Sequence, residues 1–305
     1  MSTAVAIGVF DGLHLGHRAL LERAVGRARA RSARSVVLSF DPHPDVVLSR
    51  DSFRIPAPLT PLPEKRARLV AMGVDEVRVL PFTRELAALT PEAFVERELA
   101  RPYALSVLVV GEGFALGRGR SGDVGRLRTI GLDHGFEVDV VPLLHVDGAP
   151  VSSTRIRTLL AAGQVAPVAQ LLGRPYGLSG TVVRGDGIGR DLGYPTANLR
   201  LHDEKFLPAD GIYVVRARLA AENAWRPGAM SIGMRPTFDG RVRTLEVHLL
   251  DWRGDLLAAE LEVEFVDWLR PEIKFDTPAA LVAAMDHDVA ETRRRLELGP
   301  GATPE

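Results

Sequence analysis

The sequence predicts an α/β domain built on a doubly wound parallel sheet, followed by a small antiparallel β-barrel domain that closes with a C-terminal helix. Three observations carry that expectation. From the N-terminus to about Gly173, short apolar runs alternate with amphipathic stretches. Beyond Arg174, apolar runs are separated by turn signals instead of helices, and Pro278 to Leu296 reads as one closing helix. The rhythm changes at Leu171-Leu172-Gly173-Arg174-Pro175, which divides the chain into domains 1–172 and 173–305.

In the first domain, strands are expected at Ala4–Phe10, Ser35–Phe40, Glu76–Leu80, Ser106–Val110 and Glu137–Leu143. Between them lie helices at Arg18–Ala30, Glu64–Met72, Pro91–Ala100 and Gly122–His134. The first helix repeats apolar residues at Leu20, Leu21, Ala24, Val25 and Ala28, the spacing of one helical face, and Gly73 stops the second. This βαβ rhythm places ligands at the carboxyl ends of the strands. In the second domain, Leu261, Val263 and Phe265 alternate with Glu260, Glu262 and Glu264, a half-buried antiparallel strand. Similar runs at Ser179–Arg184, Gly211–Leu219, Ala229–Gly233 and Thr244–Leu250 suggest about six strands, enough to close a small barrel. From Gly299-Pro300-Gly301 on, a frayed tail is expected.

Composition bounds the function. A chain of 305 residues with 46% apolar and 25% charged residues is globular and has room for two cores. A net charge of −1 points to neither nucleic acid nor an anionic membrane as partner. With no cysteine, disulfides and thiol catalysis are excluded. Met1-Ser2-Thr3-Ala4 shows no basic or long apolar leader, and the uncharged run Thr158–Gly173 is broken by Gly163, Gln164, Pro167 and Gln170. A cytoplasmic protein is therefore expected, with no membrane span. The sequence sets no oligomeric state. The only lysines are Lys65, Lys205 and Lys274, none after a glycine, so a P-loop is excluded.

The stretch Gly8-Val9-Phe10-Asp11-Gly12-Leu13-His14-Leu15-Gly16-His17 sits where the first strand hands over to the first helix. A helix N-terminus favours a phosphate, and two imidazoles add hydrogen bonds to charge developing during transfer. Attack on a nucleoside triphosphate is the chemistry implied. Two readings compete: half a zinc site, which no cysteine and no second His pair supports, and two histidines that merely cap a helix, which leaves unexplained why both flank Gly16. In Val151-Ser152-Ser153-Thr154-Arg155-Ile156-Arg157, a helix opens that Ser153 or Thr154 is placed to cap, with Arg157 one turn in. A plain capping motif is the rival reading; beside the histidines, Arg157 completes a triphosphate clamp without lysine.

The second domain carries Gly185, Gly187, Gly189 and Gly193 ahead of Tyr194-Pro195-Thr196-Ala197-Asn198. These glycines let backbone approach a ligand, although the spacing is not that of a dinucleotide fingerprint. If the segment is extended, Thr196 and Asn198 offer two neutral oxygens to Mg²⁺ from one side. Glu246, in an otherwise apolar strand, is either a solvent-facing residue or a general base for a hydroxyl.

On these residues, the chain resembles the bacterial bifunctional riboflavin kinase/FAD synthetase family over nearly its whole length. The N-terminal half resembles the Rossmann-like nucleotidyltransferase superfamily through Gly8-x-Phe10-Asp11-Gly12-x-His14-x-Gly16-His17, Phe40-x-Pro42-His43-Pro44 and Ser152-Ser153-Thr154-x-x-Arg157. The C-terminal half resembles the flavokinase barrel through Gly193-Tyr194-Pro195-Thr196-Ala197-Asn198, Ile232-Gly233-x-Arg235-Pro236-Thr237 and Glu246-Val247-His248. The resemblance implies phosphorylation of riboflavin by ATP with Glu246 as base and Mg²⁺ on Thr196 and Asn198, then adenylylation of FMN by a second ATP. It implies that His14, His17 and Arg157 stabilise the transferring phosphates. ATP contacts are implied from Gly8, Phe10, Asp11, Gly16, Ser153, Thr154 and the barrel glycines 185, 187, 189 and 193. Flavin contacts are implied from Gly111, Phe114 and Arg270. Two features depart from the family pattern: the chain begins almost on its first strand, and Gly113 and Leu116 stand where a polar residue and a phenylalanine are usual. A weaker flavin wall in the loop Gly111–Gly117 is expected from the latter. Rival functions are a flavin-binding or sensing protein with a weakened transferase half, and a nucleotidyltransferase with another phosphate acceptor.

Overall fold

The computed structural model describes residues 2–49, 57–185, 187–237 and 240–297; Asp186 and the tail expected from Gly299 lie outside them. The chain forms two compact units, Met1–Ser153 and Thr154–Glu305.

The first unit opens with β1 (Ser2–Ile7), α1 (Leu15–Ala30), β2 (Arg34–Asp41), α2 (Pro44–Leu48), α3 (Leu62–Ala71) and β3 (Glu76–Pro81). There follow α4 (Arg84–Ala87), α5 (Pro91–Phe94) running into a π-helical turn at Val95–Ala100, and β4 (Ala104–Gly111). A ribbon of β5 (Ala115–Leu116) and β6 (Gly122–Asp123), then α6 (Val124–His134), β7 (Glu137–Val141) and the hairpin β8 (His145–Val146) and β9 (Ala149–Pro150) complete it. The main sheet is parallel, in the order β3-β2-β1-β4-β7. Alternate residues of β1 feed two cores: Ala4 and Ala6 pack with Leu21, Ala24 and Val25 of α1, while Val5 and Ile7 join Phe94, Leu127 and Ile130 on the other face. The small alanines leave α1 room to lie close to the sheet. Connections leave β1 toward β2 on one side, and β4 lies on the other, so the crevice of a doubly wound sheet opens at the carboxyl end of β1.

Two boundaries differ from expectation there. Strand β1 ends at Ile7 instead of Phe10, because Phe10 adopts φ 53° and leaves the extended region. Helix α1 starts at Leu15 instead of Arg18, capped by His14.

The second unit begins with α7 (Ser153–Ala161) and α8 (Val165–Leu172) and continues through β10 (Gly177–Val183), α9 (Ile188–Asp191), β11 (Ala197–Leu201), β12 (Gly211–Leu219), β13 (Arg226–Thr237), β14 (Gly240–Leu249), β15 (Glu260–Arg270) and α10 (Pro278–Arg295). Six strands close an antiparallel barrel, β10-β11-β14-β13-β12-β15. On β15, Leu261, Val263 and Phe265 are buried and Glu260 is exposed, as the alternation predicts. Pairing of β11 with β14 sets Ala197 opposite Val247 and Asn198 opposite Glu246.

The units divide 19 residues before the expected boundary at 172/173. The reason is packing: α8 lies on β15 with Val165, Val168, Leu171 and Leu172 buried, and the Ala209 amide donates to the Leu160 carbonyl at 2.9 Å. Burial of each such side chain contributes about 1.5–3 kcal/mol. A fragment starting at Thr154 should therefore withstand several kcal/mol more urea-driven unfolding than one starting at Gly173. Equal midpoints and slopes for the two fragments would place α8 outside the stability of the barrel.

Candidate active sites

The first constellation is the turn between β1 and α1. Its backbone takes positive φ at Phe10 (53°), Gly12 (85°) and Leu13 (45°), a conformation that costs about 1–3 kcal/mol at a bulky residue and needs external restraint. The restraints are specific. The Lys65 ammonium and the Ser39 hydroxyl both donate to the Val9 carbonyl, at 2.9 and 3.1 Å. The Asp11 carboxylate accepts the amides of Leu59 and Thr60 at 3.2 and 3.0 Å, and the Ser153 hydroxyl donates to the Asp11 carbonyl at 2.8 Å.

This turn delivers the two histidines. The His17 amide donates to His14 Nδ1 at 3.2 Å, so His14 caps α1 and its neutral ring carries the proton on Nε2. The rings stack at 3.6 Å with planes 16° apart, and the edge of one aromatic ring meets the face of the other where Phe10 packs on His17, at 5.4 Å. A Cβ at Gly16 would stand 3.3 Å from the His14 ring, which is why glycine occupies the position between them. His17 is held well below the usual histidine range, first by burial and then by His14 and Lys65. Its Nδ1 is buried with no hydrogen-bond partner among the described residues, a polar atom left for a ligand to satisfy.

Other expected residues are placed differently. Phe10 is core, 1% exposed, and the Asp11 carboxylate is spent on the lead-in to α3, so each can offer only backbone to a nucleotide. Ser153 does not cap α7: the helix begins at Ser153 itself, and its hydroxyl is turned to Asp11. Thr154 and Arg157 belong to the second unit, where the Arg157 guanidinium lies 5.9 Å from the Phe206 ring. His43 caps α2 by accepting the Asp45 amide. Gly8 bonds its amide to the Leu38 carbonyl, and Gly111 ends β4. Phe114 packs half-buried against the core, and a Cβ at Gly113 would meet nothing. Leu116 corrects the expectation of a flavin wall: it is buried in the same core cluster and presents no surface.

The second constellation lies in the barrel unit, where two cavities meet. One, of about 360 Å³, is lined by apolar side chains of the barrel and of α10, including Ile212, Met230, Phe275, Leu281 and Met285, with Glu246, His248 and Arg270 among its polar groups. The other, of about 590 Å³, is lined by Arg184, Gly185, Gly187, Arg190, Asn198 and Trp252. Thr196 lines both, and its hydroxyl donates to Glu246 Oε2 at 3.1 Å. Glu246 therefore faces a cavity. A Cβ at Gly185 would overlap the Asn198 amide, so the glycine makes the space in which that amide sits. Gly189 lines the smaller cavity; Gly193 lines neither. Arg270 reaches the smaller cavity while its guanidinium is held by Asp288 at 2.9 and 2.7 Å.

Sequence reasoning missed Lys65, and it missed the contribution of α10. Helix α10 carries no motif, yet Asp286 accepts the Tyr194 hydroxyl, which raises that phenol to about 12. His248 bonds the Pro195 carbonyl through Nδ1 at 2.9 Å and packs edge-on against Tyr194.

Two family models match successive parts of the chain. A family model described as FAD synthetase matches residues 1–155, and one described as riboflavin kinase matches residues 172–296. The chain is 36% identical over 296 residues to a bifunctional riboflavin kinase/FMN adenylyltransferase of Listeria monocytogenes, covering 96% of this chain and 92% of that one. It is 39% identical over 289 residues to the protein of the same description from Pseudomonas fluorescens, covering 94% and 91%. Among solved structures, one described as a macrolide-efflux protein from Streptococcus pneumoniae superposes with a TM-score of 0.88 at 31% identity, covering 96% of this chain and 94% of that one. Among the described residues, no helix is long and apolar enough to cross a membrane.

The buried His17 has a stability consequence. Unfolded, it takes up a proton near pH 6.5; folded, it resists protonation to lower pH. Its contribution is complete above pH 6.5 and is lost as pH falls through the folded value. In urea titrations between pH 7.5 and 5.5, His17→Gln should flatten the stability slope by up to about 1.4 kcal/mol per pH unit. An unchanged slope would show that the ring is charged when folded.

Proposed function

The chain belongs to the family of bifunctional riboflavin kinase/FMN adenylyltransferases, and from that premise we propose how its residues divide two ATP-dependent steps. The barrel unit phosphorylates riboflavin to FMN; the α/β unit adenylylates FMN to FAD and releases pyrophosphate. Neither rival function is favoured, because both halves match their catalytic families.

The observation that carries the kinase reading is Thr196 standing between the two cavities with its hydroxyl on Glu246. Riboflavin occupies the smaller, largely apolar cavity, its flavin ring among the apolar side chains and its ribityl chain toward Glu246. ATP occupies the larger one, with Gly185 and Gly187 backbone and Arg184 and Arg190 near its phosphates. The 5′-hydroxyl oxygen bonds to the γ-phosphorus, the bond to the bridging oxygen breaks, ADP leaves, and Glu246 takes the proton. The neutral hydroxyl of Thr196 and amide oxygen of Asn198, beside Glu246, are hard oxygen donors of the kind Mg²⁺ selects. When bound with ATP, Mg²⁺ would neutralise charge on the phosphates.

In the α/β unit, an FMN phosphate oxygen bonds to the α-phosphorus of ATP and pyrophosphate leaves. That phosphate is already ionised, so no base is required. His14 Nε2–H and His17 donate to phosphate oxygens at the N-terminus of α1, where the helix dipole adds to them. The family resemblance assigns Thr154 and Arg157 to phosphate binding, and Gly111 and Phe114 to the flavin. A cytoplasmic location suits substrates of this kind.

Incubating the full chain with riboflavin, ATP and Mg²⁺ and resolving FMN from FAD by chromatography tests the whole reading; no FAD from supplied FMN would refute the second step. Glu246→Gln should lower FMN formation ~10²–10⁴-fold, the range for a lost general base, and leave FAD formation from FMN unchanged. His17→Ala should do the reverse, costing ~10²–10³-fold in FAD formation, as for a lost oxyanion donor, while FMN accumulates. Equal losses of both activities in either variant would contradict the division.

A further inference from the structure

Lys65 is the single lysine of the first unit, and it is 7% exposed. A buried ammonium is costly unless something repays it. Burial lowers its proton affinity, while the fields of Asp11 and Asp41 raise it in partial compensation. Its hydrogen bond goes to the carbonyl of Val9, the peptide group immediately before Phe10. The amides of Leu59 and Thr60, which lead into the same helix α3, hold Asp11, immediately after Phe10. One helix and its lead-in thus grip the chain on both sides of its left-handed residue. The Phe10 ring in turn rests on His17.

We propose that Lys65 is a positioning residue for adenylyl transfer: by fixing the Val9 carbonyl it keeps Phe10 left-handed and so sets where the stacked imidazoles of His14 and His17 stand. Without it, Phe10 relaxes toward negative φ, the chain from Asp11 to His14 swings, and the ring pair moves with it. Ser39 assists from β2 by donating to the same oxygen. Lys65 itself touches no substrate in this account. The inference rests on the adenylyl-transfer assignment of the first unit.

The test uses the full chain, with the kinase activity of each preparation as its internal standard. Wild-type FAD formation from FMN tests the underlying assignment; the ratio of FAD-forming to FMN-forming turnover in the variants tests this one. Lys65→Met should lower that ratio about 10–100-fold, the scale of a misplacement near 1 Å, with KM for ATP and FMN within threefold. A merely stabilising lysine would lower the melting temperature of the first unit and leave turnover per folded molecule unchanged, which would overturn the proposal. Should Lys65→Met fail to fold, Ser39→Ala decides. It retains the buried charge and weakens the same grip, and a ratio reduced at least threefold at unchanged KM supports the proposal. An unchanged ratio in Ser39→Ala refutes it.

Discussion

The carboxylate of Asp11 is 3% exposed and spends both oxygens on backbone amides of a segment some fifty residues away. On that pairing the adenylyl-transfer half depends, because the turn it anchors contains three residues at positive φ in succession from Phe10 to Leu13, broken only by Asp11 itself. Left alone, such a turn relaxes. Pinned at Val9 by Lys65 and Ser39 and at Asp11 by Leu59, Thr60 and Ser153, it ends each time in the same geometry, with His14 capping α1 and His17 stacked beneath it. The sheet supplies the platform. The crevice at the carboxyl end of β1 is where a doubly wound topology admits a ligand, and the pinned turn decides what the ligand meets there.

The barrel solves a different problem, since a kinase must bring a hydroxyl to a phosphorus held in another pocket. Antiparallel closure sets β11 beside β14 in a register that faces Asn198 with Glu246. Thr196 lines both cavities, Asn198 lines the larger one, and Glu246 and His248 line the smaller one. The two cavities share Thr196, and in the proposed reading its contact with Glu246 lies on the line along which transfer runs.

The parts of this arrangement that sequence made legible are those with local periodicity or special residues. The five strands of the parallel sheet, the face of α1 and the alternation on β15 follow from apolar spacing. The histidine turn and the Pro195-Thr196-Ala197-Asn198 segment declared themselves by residue type. What stayed hidden depends on contacts distant in sequence. Strand β11 is short and interrupted by Asn198 and Arg200, and only pairing with β10 and β14 makes it a strand. Helix α8 reads as uncharged filler until β15 gives its apolar face a partner. Lys65, which carries no motif in sequence, is buried because the Val9 carbonyl and two carboxylate fields receive it. Leu116 is expected in a flavin wall because it stands where the family usually has phenylalanine, and it lies in the β5–β6 ribbon, buried in the core, instead.

A transfer site without a phosphate-binding lysine poses an electrostatic question that the histidine pair answers in part. Two imidazoles stacked at 3.6 Å repel one another when both are charged, and burial opposes charging His17. In the proposed reading the pair works as neutral hydrogen-bond donors and not as two fixed cations, with the tautomer of His14 set by the His17 amide on its Nδ1. Neutral donors favour charge that accumulates on phosphate oxygens in the transition state without binding the ground-state triphosphate so tightly that the gain is cancelled. In the proposed reading the α1 dipole adds partial positive charge, and formal charge would come from arginine and from a divalent cation bound with ATP. Lys65 contributes to this balance without touching a phosphate, since its field, like that of His14, disfavours protonation of His17. Burial is the larger cause that keeps the His17 imidazole neutral, and the field of the ammonium behind the turn adds to it.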